Sequence, residues 1–202
     1  MTSGHVLELM SLPTSHPKCG AALLHCHGPS LIFRLSIDPT LQLGDATSRE
    51  MSVSWIATPA GIEATHQMTI SWAGVPTSWR DLLLQWPVGV SSQRQTEDAA
   101  IAVTALLLRD LASMEIVKVL RIGSGGDYLV ELVESAEQIQ VECSGITSDP
   151  NGSKSKDCLK NKKGQVLKKC NVGFASVTTF SHSRSRAVHS YLHRVGRDVV
   201  EG

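Results

Sequence analysis

The chain has no CxxC pair among its five cysteines, no apolar run of the roughly 18 residues a membrane helix needs, and no excess of either charge. The cysteines, Cys19, Cys26, Cys143, Cys158 and Cys170, are odd in number and unevenly spaced. That argues against a disulfide framework or a zinc knuckle and fits reduced thiols in a cytoplasmic protein. The opening MTSGHVLELMSLPTSHPK lacks a basic stretch followed by a long apolar one, so no signal peptide and no membrane association are expected. A formal net charge of zero removes any overall field that would draw the chain to nucleic acid. Internal repeats are absent as well.

What is present is an ordinary globular composition. Over 202 residues, 42% apolar and 19% charged content supports one full core, or a core with a modest appendage, and argues against global disorder. Charge is unevenly distributed. Between Lys154 and Lys169 seven lysines face a single acid, Asp157, and Arg184, Arg186, Arg194 and Arg197 follow. A basic C-terminal third of this kind can bind phosphates locally even when the whole chain is neutral.

The first part, residues 1–90, reads as β-rich, either a subdomain of its own or strands added to a core. Ala21–His27 and Leu31–Ile37 are short apolar runs around HGPS, which predicts a hairpin. Met51–Thr58 and His66–Trp72 alternate as strands do. Pro76–Trp86 predicts a short helix capped by Thr77 or Ser78 and stopped by Pro87. Trp72, Trp79 and Trp86 cluster here, with core or lid packing the first reading and an aromatic binding surface the second.

Residues 91–202 change character. Thr96 reads as an N-cap, with Glu97 and Asp98 in the first turn, before the apolar AAIAVTALLLRDLA, a helix to be buried on a sheet. Strands are predicted over Glu115–Ile122, Tyr128–Val133 and Gln138–Cys143, then a loop, a helix over Cys158–Cys170, and a strand over Gly173–Phe180. Leu159, Val166, Leu167 and Cys170 would form the apolar face of that helix. Val188, Tyr191, Leu192 and Val195, at i, i+3, i+4 and i+7, predict a final amphipathic helix.

The segment GSGGDYLVELVESAEQIQVECSGI, from Gly123 to Ile146, holds the candidate chemistry. Asp127 opens one strand and Glu142 lies near the end of the next, so antiparallel pairing can bring both carboxylates to one end of the sheet. Two adjacent carboxylates repel unless a cation or a shared proton lies between them. Hard oxygen donors of this kind suit Mg²⁺ or Mn²⁺. The GSGG turn joins strand to strand with no helix N-terminus behind it, which excludes a nucleotide-binding P-loop.

With this element order, the chain resembles the PD-(D/E)XK nuclease-like superfamily. Its αβββαβ core places an acid at the start of the second strand and an acid–x–lysine triplet on the third. More narrowly, GGDY followed by VECSGI resembles a group of bacterial proteins with a G-x-x-D-[YF] strand followed by a strand ending E-V-S-G. The resemblance implies an α/β (α+β) restriction-endonuclease-like core with a β-rich N-terminal extension and a C-terminal helix. It implies Asp127 and Glu142 as ligands of a Mg²⁺ ion, with the Cys143 carbonyl as a third and Glu97 as the acid of the first core helix. The triplet here is Glu142-Cys143-Ser144, with serine where the lysine stands. Lysine supplied from the next helix is a known variation, which points to Lys160 and Lys163.

Rival features are weaker. His189 and His193 fall at i, i+4 with no evident third ligand, and with Arg186 and Arg197 they read as a solvated basic helix face or a phosphate or partner contact. Cys19, Cys26 and His27 lack an orienting acid and read as strand residues. Two functions follow as expectations. One is a Mg²⁺-dependent nuclease, or a protein derived from one, contacting nucleic acid through the basic 154–169 stretch, with Lys162, Lys168 and Lys169 on phosphates. The other is a non-catalytic module that binds a protein partner, such as an accessory or immunity component of a bacterial system.

Overall fold

The computed structural model describes residues 5–36, 47–76, 79, 92–120, 127–134, 137–147, 149, 151–180 and 188–196, the side chain of Lys169 excepted. Eight strands form one mixed sheet in the order β1-β3-β2-β8-β7-β6-β5-β4. The strands are β1 (His5–Glu8), β2 (Ser48–Ile56), β3 (Ala64–Ser71), β4 (Met114–Val119), β5 (Tyr128–Leu132), β6 (Gln138–Ile146), β7 (Val172–Phe180) and β8 (Val188–Gly196). Among the described residues four α-helices accompany them: α1 (Leu12–Ser15), α2 (Gly20–Ser36), α3 (Ser92–Ala112) and α4 (Ser153–Lys169). The turn expected at 123–126 and most of the helix expected at 76–86 lie outside the described residues.

Period-two alternation places the helices. On β7, Phe174 and Phe180 join the main core with α2 and α3, whereas Ala175 and Val177 join a smaller cluster with Leu159 of α4. Helices α2 and α3 therefore cover one face of the sheet and α4 the other. From Ala99 to Leu108, α3 buries every residue but Ile101, lying between the sheet and α2. The β4-β5-β6 meander is antiparallel, and α4 is the crossover that makes β6 and β7 parallel. The first strands join the same sheet through β2, which runs parallel to β8.

Three expectations are corrected. The hairpin around HGPS is instead the middle of α2. Leu24, Gly28, Leu31 and Leu35 form one buried stripe at helical spacing, so the two apolar runs are halves of a single helix face. Pro29 forfeits one helical hydrogen bond, but packing of that stripe against α3 outweighs the local cost. Gly28 lets Trp79 close in, since an added Cβ would stand 3.0 Å from its ring.

The final helix is instead strand β8. Val188 and Leu192 face the main core while Tyr191 and Val195 face the α4 side, so both faces take apolar residues. A strand buried on both faces loses clean alternation and can mimic a helical pattern. Thr96 is likewise not the cap. Helix α3 starts at Ser92, so Thr96 lies within it, donating to the Ser92 carbonyl at 2.7 Å and meeting Thr147 Oγ1 at 3.0 Å.

His16 ties the N-terminal helices to the core. Its Nδ1 accepts the Ile116 amide at 2.9 Å, and its Nε2 donates to the Ala105 carbonyl at 3.0 Å. That pattern requires the neutral imidazole. Burial lowers its pKa to about 4, aided by the Arg109 charge and opposed by the Ala105 bond.

Candidate functional site

Strand register brings the two acids together. Tyr128 pairs with Val141, and the Asp127 amide donates to the Val141 carbonyl at 2.9 Å, so Asp127 sits across from Glu142. On β6, Ile139, Val141 and Cys143 enter the main core, which turns Glu142 to the opposite face, beneath α4. Gly145 keeps that strand close under α3, for an added Cβ would stand 2.2 Å from the Thr96 carbonyl oxygen.

The lysine that meets the carboxylates is Lys162. Its Nζ lies 2.9 Å from Glu142 Oε2 and 3.6 Å from Asp127 Oδ2. Asp127 Oδ2 also accepts the Cys143 amide at 2.7 Å. Glu142 is 9% exposed at its side chain and Lys162 17%, but Asp127 is 43% exposed, so solvent reaches the cluster from the Asp127 side. Burial alone would disfavour the charged ammonium of Lys162. The Glu142 hydrogen bond and the Asp127 charge outweigh it and raise its pKa.

Helix phase explains why this residue reaches the site. Leu159 and Val166 are buried on the inner stripe of α4, and Lys162 is three residues after one and four before the other. Lys163, four residues after Leu159 and three before Val166, flanks the same stripe on its other side and, with Lys160, lines a groove beside β8 with Tyr191 and His193. Lys162, expected on a phosphate, has its ammonium engaged by the two carboxylates instead. The available signal was a pair of lysines, Lys162 and Lys163, flanking the Leu159–Val166 stripe, of which only the one on the β6 side meets the carboxylates. Lys168 is exposed on the same helix.

Glu97 is half-buried and accepts the side-chain amide of Gln93 at 3.2 Å on its own helix. The buried acid of α3 is its neighbour Asp98, held by His27 Nδ1 at 3.2 Å and Arg94 Nε at 3.2 Å. His27 therefore does have an acid beside it, but on a helix, not on the strand expected. Among the described residues no three His, Cys, Asp or Glu side chains approach closely enough to hold a metal ion. Asp127 and Glu142 alone are a donor set that fits Mg²⁺, which commonly takes one or two carboxylates and completes its shell with water or phosphate oxygens. In an extended strand the N–H and C=O of one residue point the same way, so the Cys143 carbonyl shares the Asp127 side of β6 with its amide. The Cys143 thiol is buried on the other face, and that burial, with the Asp127 charge, raises its pKa and keeps it protonated.

His189 and His193 lie on a strand, where two-residue alternation puts them with Tyr191 on one face. Arg186 and Arg197 lie outside the described residues. No described helix is long and apolar enough to cross a membrane. Compared with models of known protein families, with curated proteins and with solved structures, the chain gives no match.

Proposed function

We propose that the protein is a metal-assisted phosphodiesterase of the nuclease class, in which Lys162 takes the place of the motif lysine that Ser144 lacks. The observation that carries this reading is the Lys162 ammonium at 2.9 Å from Glu142 and 3.6 Å from Asp127. The order α3-β4-β5-β6-α4-β7 supports it, because this is the αβββαβ sequence of elements that the resemblance implies.

In this reading Asp127 and Glu142 hold Mg²⁺, which when bound polarises the phosphodiester and lowers the pKa of a water. Lys162 orients the attacking water and stabilises charge developing on the phosphate. Asp127, the exposed member, faces the incoming substrate, and its bond to the Cys143 amide fixes its carboxylate before substrate arrives. The exposed lysines of α4 contact the backbone of DNA or RNA without reading its bases.

One observation favours a second reading, a non-catalytic protein-binding module. The Glu142–Lys162 contact is already hydrogen-bonded and largely buried, so the cluster is electrostatically satisfied without a metal. A Mg²⁺ and Mn²⁺ titration of wild type, Asp127→Asn and Lys162→Gln, read by melting temperature and by cleavage of single- and double-stranded DNA and RNA, separates the two. Metal-dependent cleavage lost in both variants supports the phosphodiesterase. An unchanged melting temperature with no cleavage by folded wild type leaves the binding module.

A further inference from the structure

A groove of about 440 Å³ runs along the opposite flank of α4 from the carboxylates. Lys156, Lys160 and Lys163 line it from α4, at i, i+4 and i+7, and Tyr191, His193 and Glu63 line it from the sheet side. Three ammonium groups against one carboxylate make it locally positive in a chain whose formal charge is zero.

His193 gives the groove an unsatisfied floor. It is 2% exposed, and neither ring nitrogen has a hydrogen-bond partner. The nearest acid, Glu63, stands 3.7 Å from Nε2, beyond hydrogen-bond range. Burial, together with the Lys163 charge, lowers its pKa to about 4 despite Glu63, so the ring is neutral and offers one N–H and one lone pair. Buried polar atoms normally have partners, and leaving one without is costly. A ligand that accepts from His193 and from the lysines supplies the missing bond.

We propose that this groove binds a phosphomonoester, with the phosphate between Lys160, Lys163 and His193. Ammonium groups exclude a metal cation as occupant, and three of them exclude a purely apolar one. The volume matches a pocket for a ligand the size of a mononucleotide. A free mononucleotide and the 5′-phosphorylated end of a nucleic-acid strand carry the same group. The groove shares no residue with the Asp127–Glu142–Lys162 cluster, so it is independent of the hydrolytic reading.

Isothermal titration in EDTA, where no metal-dependent cleavage occurs, tests it with adenosine 5′-monophosphate, adenosine, and oligonucleotides bearing 5′-phosphate or 5′-hydroxyl. Binding of the monophosphate but not adenosine is expected. The double variant Lys160→Ala/Lys163→Ala weakens it at least about tenfold, the loss of one charged hydrogen bond. Lys118→Ala, an exposed charge on β4, leaves it unchanged. His193→Phe, which keeps a ring but removes both nitrogens, also weakens binding once its fold is verified by circular dichroism. Preference for the 5′-phosphate oligonucleotide over its 5′-hydroxyl form assigns the strand end, and binding of the mononucleotide alone assigns the free ligand. Equal affinity for adenosine and its monophosphate, no binding of any phosphate ligand, or full affinity in the double variant overturns the proposal.

Discussion

Glu142 and His193 stand in one cross-strand row, separated only by Ala175, and α4 packs over the middle of it. With strands about 4.8 Å apart, the two side chains are roughly 10 Å from each other. Successive lysines on the helix divide between them. Lys162 drops to Glu142 on one side, and Lys163 lines the groove of His193 on the other. One helix thereby sets the electrostatics of two neighbouring sites.

Removing Lys162 is expected to destabilise the protein by about 3 kcal/mol, because Glu142 would keep a largely buried charge without its partner. Lys162→Met in urea denaturation measures this. The double variant Lys162→Met/Glu142→Gln should recover most of the loss. Asp127→Asn should cost no more than about 1 kcal/mol, since that side chain is nearly half exposed.

Stability should fall on mild acidification. His16 and His193 both have folded pKa values of about 4 against an ordinary 6.5, so the unfolded chain binds their protons more readily. Their contribution is complete above pH 6.5 and is lost as pH falls toward 4. By about pH 5 each should have lost roughly 2 kcal/mol. Urea midpoints between pH 7 and 5 check this, and His16→Gln should flatten the curve. A flat wild-type profile would show that neither imidazole is held neutral.

Two glycines should respond oppositely to alanine. Gly145→Ala drives a Cβ to 2.2 Å from the Thr96 carbonyl oxygen, a backbone atom that cannot swing aside, and should cost at least about 2 kcal/mol. Gly164 is exposed within α4 with nothing within 4 Å of the added carbon, so Gly164→Ala should stabilise by about 0.5–1 kcal/mol. Thermal melts of the two variants measured side by side give the sign directly.

The start of α4 depends on Asp149, whose carboxylate accepts the Lys154 amide at 3.2 Å and the Ser155 amide at 2.6 Å. Burial is the largest single influence and opposes its ionisation, but the Ser155 and Lys154 bonds together outweigh it and lower its pKa. Asp149→Ala should cost about 1 kcal/mol. The difference from wild type should shrink as the carboxyl is protonated below its ordinary pKa of 3.8. Chemical denaturation near pH 7 and pH 3 provides the comparison.

Sequence pattern located the αβββαβ order and the facing of Asp127 and Glu142 because each depends on local periodicity and short connections. It failed where tertiary packing overrode a local signal. Gly28, Pro29 and Ser30 carry turn chemistry, yet burial against α3 holds them in a helix. β8 was hidden because both its faces are covered, a fact about its neighbours that the strand does not record. Lys162 was misassigned because seven lysines in one stretch look equivalent until the phase of the helix is fixed. Leu159 and Val166 narrow the choice to Lys162 and Lys163, and the side of the helix that faces β6 decides between them.

The pairing of β2 with β8 has a further consequence, for the order in which the fold can form. Among the described strands, β8 comes last in the chain, yet it joins β1–β3 to the rest of the sheet. On the ribosome, β1–β3 emerge long before the strand that docks them, and their inner edge stays open meanwhile. Contacts so distant in sequence make for slow closure. The sheet is therefore complete only once β8 is in place, since among the described strands it alone pairs with both β2 and β7.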